Sequence, residues 1–277
     1  MKKETFTLKG FKFAAFDLDG TIVNERGEIS QNIEKAILKL RKSGITPIIA
    51  TGRVLQSYKN LFSSNRYNKL FHKKIVCHDG NILYEEGKIT ILKKIDLDFF
   101  WSIFYSLKSS ADFVVINNGE CFAETKSAAL KYSMVYRINR SQIIVKSFDE
   151  INLNGLSNVY VFPKDKDKQI SINYFSNYNV KPISYLNAFK ITPNVNKADG
   201  LIKLLATDFH EKNLEKVIAF GDGENDVQML NNCAIGIAVQ NSHPAAINCS
   251  TYSINIPIEK FIEENLVEGT DSTEIRV

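Results

Sequence analysis

The sequence predicts an α/β core built on a parallel sheet and interrupted by an inserted α+β domain. Continuous apolar runs alternate with helical patterns near both ends of the chain, as expected of strands covered on both faces. The middle differs: from about Leu83 to Leu186, short runs rich in aromatic and β-branched residues are separated by turn signals. Such runs suit a largely antiparallel sheet. A chain of 277 residues has room for two domains. Residues 1–82 and 188–277 are assigned to the core, and 83–187 to the insert.

Phe13–Phe16 is apolar throughout and stops at Asp17-Leu18-Asp19-Gly20, so it reads as a buried strand ending in a turn. Ser30 is a candidate N-cap, Ile33, Ala36, Ile37 and Leu40 recur at helical spacing, and Gly44 supplies the stop. Strands follow at Thr46–Ala50 and Lys74–Cys77. The alternation resumes with a helix over Lys197–Thr207, a strand over Val217–Phe220 and a short helix through Val227 and Leu230. Further strands are expected at Ala234–Val239 and Tyr252–Ile254. In the insert, Phe113–Ile116 and Asn158–Phe162 read as strands, Asn117-Asn118-Gly119 as a turn, and Asp98–Lys108 and Lys166–Ser176 as helices. The tail after Glu268 is polar and expected to fray.

Composition excludes several classes. Apolar residues make up 44% and charged residues 24%, an ordinary soluble balance. The net charge of +4 comes from lysines interleaved with acids, without the basic stripe a nucleic-acid site requires. No run reaches the roughly 18 apolar residues of a membrane span, and Met1–Gly10 lacks the apolar segment of a signal peptide. Cys77, Cys121, Cys233 and Cys249 form no C-x-x-C pair and read as buried thiols. A cytoplasmic protein, monomeric by default, is the expectation.

Asp17 and Asp19 lie just past a strand end, where ligands bind in open α/β sheets, and Gly20 lets the backbone turn closely. A second acidic segment, Gly221-Asp222-Gly223-Glu224-Asn225-Asp226, also follows an apolar strand directly. Gathering Asp17, Asp19, Asp222 and Asp226 would be costly without a cation, and a hard oxygen-bound ion, most simply Mg²⁺, resolves the repulsion. A calcium loop is excluded, since the closing Glu and further acids are missing and a strand precedes the segment. Thr51-Gly52-Arg53 ends another strand, where a hydroxyl and free backbone N–H groups suit a phosphate oxygen. Lys197 opens a helix. It reads either as a solvated surface residue or, if it faces the crevice, as a charge for a phosphoryl group.

In that order, Asp17–Thr21, Thr51, Lys197 and Gly221–Asp226 resemble the four motifs of the haloacid dehalogenase (HAD) superfamily. The Thr-Gly-Arg and Gly-Asp-Gly-Glu-Asn-Asp forms are similar to those of Cof-type, subclass IIB members. The likeness covers roughly residues 10–82 and 188–262, and the insert matches a type C2B cap by position and size. The resemblance implies a Mg²⁺-dependent phosphatase acting on a small phosphorylated metabolite, with Asp17 as nucleophile and Asp19 as acid and base. It also implies that Asp17, the Asp19 carbonyl and Asp222 hold the metal, with Asp226 assisting directly, through water or through Lys197. Thr51, Gly52, Lys197 and Asn225 would bind the phosphate, Asn225 would also orient the fourth-motif loop, and Asn241 would lie near the phosphate.

Two departures stand out: Asp79-Gly80 where relatives often carry Asn-Gly, and Lys197-Ala198-Asp199-Gly200 in place of Lys-Gly. Asn117, Asn118, Glu120, Lys131, Tyr132 and Arg137 are candidate specificity residues of the insert. Sugar phosphates are the default substrates, with pyridoxal phosphate and flavin-pathway phosphates as alternatives. A phosphomutase or phosphotransferase, and a non-catalytic sensor, are the competing readings.

Overall fold

The computed structural model describes residues 7–63, 66, 67, 69–165, 178–183 and 187–266. The chain begins with β1 (Phe13–Phe16), α1 (Gln31–Lys42), β2 (Thr46–Ile49), α2 (Leu55–Leu61), β3 (Ile75–Cys77) and β4 (Ile82–Glu85). Its middle carries β5 (Lys88–Ile91), α3 (Leu97–Leu107), β6 (Ala111–Asn117), β7 (Glu120–Ala123), α4 (Lys126–Tyr136), β8 (Ile143–Val145), β9 (Leu156–Pro163), β10 (Tyr178–Ile183) and β11 (Ala188–Pro193). It returns with α5 (Lys197–Asp208), β12 (Val217–Gly221), α6 (Val227–Asn232), β13 (Ile235–Ala238), α7 (Pro244–Cys249), β14 (Tyr252–Ser253) and α8 (Ile258–Leu266). The expected helix over Lys166–Ser176 and the tail after Glu268 lie outside the described residues.

The described residues form two compact units. The first falls within Met1–Arg53, Leu61–Lys88 and Asn196–Val277, and the second within Val54–Asn60 and Ile89–Val195. The first unit is the α/β core. Its five strands run parallel in the order β14-β13-β12-β1-β2. A bridge between Ala50 and Val76 continues the parallel pairing to β3. β1 and β12 are buried along their whole length, which explains their uninterrupted apolar sequences. Phe16 and Phe220 stack across that pair with ring centroids 4.9 Å apart. In α1 the Ser30 hydroxyl accepts from the Ile33 N–H, the Ala36, Ile37 and Leu40 face is buried, and Gly44 follows at φ +81°. α5 opens with a reciprocal cap: the Asn196 side chain accepts from the Ala198 and Asp199 N–H groups, and the Asp199 carboxylate accepts from the Asn196 N–H.

The second unit is α+β. Its six-stranded sheet has the order β10-β11-β9-β6-β7-β8, antiparallel except for the β7–β8 pair. Asn118 and Gly119, both at positive φ, make the two-residue β6–β7 hairpin that the Asn-Gly pair signals. Phe100, Phe104, Phe113 and Phe148 pack together in its core. The buried Asp112 carboxylate accepts from Thr125, Ser127 and Lys131 and so fixes the start of α4 on β6.

Two expectations are corrected. The insert is not residues 83–187. Leu83 and Tyr84 pair with Val76 and Ile75, which keeps β4 in the core, whereas β11 pairs with β9 and β10 and belongs to the inserted sheet. α2 also joins the insert, where the Gln56 amide donates to the Gly119 carbonyl at 2.9 Å. Among the candidate specificity residues, several are structural. Lys131 pairs with Asp112, Tyr132 is fully buried, and the Asn117 side chain bonds Asn152 and Gly155 backbone.

Candidate active site

The parallel sheet brings four chain segments to its carboxyl edge. Asp17 is the first residue beyond β1, and its N–H still donates to the Phe220 carbonyl at 3.0 Å. The chain then turns so tightly that the Leu18 carbonyl receives the N–H groups of Thr21, Ile22 and Val23. Gly20 sits at φ +78°, and a Cβ there would fall 2.3 Å from Asp222 Oδ2. Left-handed geometry and lack of space thus both require glycine. Thr21 Oγ1 donates to Asp222 Oδ1 at 3.0 Å, tying the loop after β1 to the loop after β12.

In that second loop the Asp226 carboxylate works in two directions. Its Oδ2 accepts from the N–H groups of Asp222 (3.1 Å) and Gly223 (2.9 Å). Its Oδ1 accepts from Lys197 Nζ at 2.6 Å, and the same ammonium donates to Asp17 Oδ1 at 2.6 Å. Of the two sequence readings of Lys197, the surface one is excluded: its side chain and that of Asp226 are 0% exposed. Asp17, Asp222 and Asp226 each bring a carboxylate oxygen within 4.8 Å of the others.

Burial dominates the electrostatics. It pushes the Asp17 carboxyl up to about 7, against the pull of Lys197, with Asp226 adding to the rise. Burial raises Asp222 as well, opposed by the Thr21 hydrogen bond. For Lys197, burial favours loss of the proton, but the Asp17 and Asp226 charges outweigh it and hold the ammonium firmly charged. Three crowded carboxylates against one ammonium, with Asp17 disfavoured as an anion, are a donor set suited to a small divalent cation.

The third segment follows β2. Thr51 is fully buried, its N–H donates to the Val76 carbonyl, and its hydroxyl accepts from the Arg53 N–H at 3.1 Å. The Arg53 guanidinium grips the Asp19 carboxylate with both edges, Nε to Oδ2 at 2.8 Å and Nη2 to Oδ1 at 2.6 Å. The fourth segment is the turn after β3, where His78 (φ 52°), Asp79 (φ 53°) and Gly80 (φ 105°) are all left-handed. A Cβ on Gly80 would lie 1.9 Å from the Asn196 carbonyl oxygen, so the turn packs directly under the start of α5.

The profile of the haloacid dehalogenase-like hydrolase family matches residues 14–257. The chain belongs to this family. It is similar to 5-amino-6-(5-phospho-D-ribitylamino)uracil phosphatase YcsE of Bacillus subtilis, at 23% identity over 90% of this chain and 91% of that protein. Its fold is that of a HAD subclass IIB sugar phosphatase (19% identity, 91% and 98% of the two chains, TM-score 0.70). It is also that of a HAD/Cof-like hydrolase from Plasmodium vivax (20% identity, 93% and 96% of the chains, TM-score 0.72). The Cof-type resemblance of the four motifs and the α/β core with its α+β insert agree with these comparisons.

In this HAD hydrolase, two residues were not assigned a role from the sequence. Arg53 figures in the sequence only as the end of a motif, although an arginine three positions after the predicted Thr46–Ala50 strand is a visible sign. Asp79 stands out in the sequence only as a departure, an aspartate where relatives often carry asparagine. Its Oδ1 accepts from the Asn225 amide at 3.1 Å, and both groups close over Gly52, where a Cβ would lie 2.6 Å from Asn225 Nδ2 and 2.7 Å from Asp79 Oδ1. The Asn225 amide thus ties the fourth-motif loop to the turn after β3. The Asn241 loop also reaches the fourth motif, with the His243 N–H donating to the Asp222 carbonyl at 2.7 Å. Asp79→Asn retains an acceptor for Asn225 and removes one negative charge beside Gly52. The expected result is a KM for phosphate esters lowered about 3- to 10-fold, as for loss of about 1 kcal/mol of like-charge repulsion, with kcat changed less than twofold in steady-state assays.

Proposed function

We propose that this HAD hydrolase is a Mg²⁺-dependent phosphatase that cleaves the phosphate monoester of a small sugar or polyol through an aspartyl-phosphate on Asp17. The observation that carries the reading is Lys197, wholly buried and bonded to both Asp17 and Asp226, with Asp222 beside them. A buried cation set among acids at a strand-end crevice suits the charge of a transferring phosphoryl group. The substrate class rests on the names of similar proteins, since a phospho-D-ribityl group and a sugar phosphate both carry phosphate on a polyhydroxylated carbon chain.

In this reading Asp17 attacks phosphorus, and the bond from phosphorus to the ester oxygen breaks. Asp19 protonates the departing alcohol, then takes a proton from the water that cleaves the aspartyl-phosphate, releasing inorganic phosphate. Lys197, Thr51 and the Gly52 N–H hold phosphoryl oxygens. Asp17, the Asp19 carbonyl and Asp222 would hold the cation. Asp226, with Oδ2 committed to two N–H groups and Oδ1 to Lys197, would act through the lysine and the loop. A bound Mg²⁺ supplies neutralisation of the negative charge shared by nucleophile and phosphoryl group.

The test is release of inorganic phosphate from 4-nitrophenyl phosphate and from a panel of sugar and polyol phosphates. Turnover is expected with Mg²⁺, lost in EDTA and restored by excess Mg²⁺. Turnover indifferent to EDTA would refute the metal. Isomerised sugar phosphate without released phosphate would favour a phosphomutase, and no turnover on any ester would favour a phosphometabolite sensor.

A further inference from the structure

The contact between Arg53 and Asp19 is a two-point one, and its two sides are built differently. Arg53 is anchored: its N–H donates to Thr51 Oγ1, its carbonyl accepts from the His78 N–H, and its side chain is 18% exposed. Asp19 is loosely housed, with a side chain 58% exposed on the turn that Gly20 permits. An ion pair this open adds little to stability. A guanidinium fork nevertheless fixes both the place and the plane of a carboxylate, which an ammonium cannot do.

We propose that Arg53 is a positioning residue that sets the orientation of the Asp19 carboxylate for proton transfer. This rests on the phosphatase reading above and deepens it. In the first step Asp17 Oδ bonds to phosphorus, the ester P–O bond breaks, and the leaving oxygen receives the Asp19 proton. In the second, water oxygen bonds to phosphorus, its proton passes to Asp19, and the P–O bond to Asp17 breaks. Both transfers need the same carboxylate aimed at an oxygen in line with Asp17, and small misplacements there are costly. Arg53, hung from the end of β2, supplies a fixed reference for a side chain that its own loop leaves open.

The assignment is tested with Arg53→Met and Arg53→Lys, using 4-nitrophenyl phosphate, whose leaving group needs little protonation, beside an alkyl ester such as glycerol 2-phosphate. For Arg53→Met, kcat/KM on the alkyl ester, which reports the steps up to departure of the alcohol, is expected to fall about 10- to 100-fold, a part of the roughly 10²- to 10⁴-fold that general acid catalysis supplies. On the aryl ester the fall in kcat/KM is expected to be no more than about threefold, because little acid catalysis is lost there, whereas kcat on both esters shares any slowing of aspartyl-phosphate hydrolysis. Arg53→Lys keeps the charge without the fork and should show the same selectivity, less steeply. Adding Arg53→Met to Asp19→Asn should cost no more than about threefold further, since the two residues act as a unit. Equal losses of kcat/KM on both esters, a change confined to KM, or full additivity with Asp19→Asn would overturn the assignment. A wild-type protein active on both esters with an unchanged ratio in the variants overturns Arg53 alone. A wild-type protein inactive on both overturns the phosphatase reading and the assignment with it.

Discussion

Asp17→Asn is expected to lower phosphatase turnover by roughly 10⁴-fold or more, the scale on which removal of a covalent nucleophile acts. The amide keeps the size of the side chain, and its oxygen can still accept from Lys197, so the fold around it should persist. The stability change identifies the cause. Burial holds the Asp17 carboxyl at about 7 in the folded protein, against 3.8 ordinarily. A carboxyl raised in this way favours the folded state while protonated, so its contribution is complete below about pH 4 and is lost as pH rises towards 7. In EDTA, the wild type should therefore lose thermal stability between pH 5 and 8 relative to Asp17→Asn. Melting curves of the two proteins at both pH values, beside a phosphate-release assay, check the prediction. An inactive variant whose melting curve tracks the wild type at both values would leave Asp17 as nucleophile but contradict the crowding of carboxylates described here.

Lys197→Met is expected to be the most damaging single change to stability, and to impair activity as well. Its ammonium touches Asp17 and Asp226 at 2.6 Å each and is cut off from water. Removing one partner of a buried ion pair leaves uncompensated charge and costs about 3–5 kcal/mol. The Asp226 carboxylate also organises the backbone of Asp222 and Gly223, so the loss should spread into the fourth-motif loop. Turnover should fall about 10²- to 10³-fold, as for deletion of a single donor to developing charge. Urea denaturation of metal-free protein measures the first effect, and Mg²⁺ should restore part of it by neutralising the same carboxylates. Lys197→Arg is not expected to rescue either property, because the planar guanidinium is larger and the pocket is closed. A variant as stable as wild type in EDTA would mean that the lysine is not the counter-charge the geometry indicates.

Much of the core was legible because its signals are local. A strand buried on both faces must be apolar at every position, so Phe13–Phe16 and Val217–Gly221 declare themselves. The acids and glycines that follow them are punctuation where such strands stop. α4 was missed for the opposite reason. Its buried face is Ala128, Ala129, Tyr132 and Ser133, while Leu130 and Met134 are exposed, so its hydrophobic pattern points away from its true core. α8 buries Ile258, Phe261 and Ile262 at helical spacing and could have been read. The limits of the insert were misplaced because strand pairing decides them, and pairing is not a property of either strand alone.

By itself the sequence determined the α/β core, the presence of an insert and the motif residues, since each depends on neighbours within a few positions. Tertiary structure decided what those residues do to one another. Lys197 is buried rather than solvated because β1 and β12 pair in parallel and bring Asp17 and Asp226 to it across 180 and 29 positions of chain. Arg53 meets Asp19, and Asp79 meets Asn225, for the same reason. Charges separated by that much chain interact only once the sheet has closed the distance, and Coulomb energy depends on separation in space.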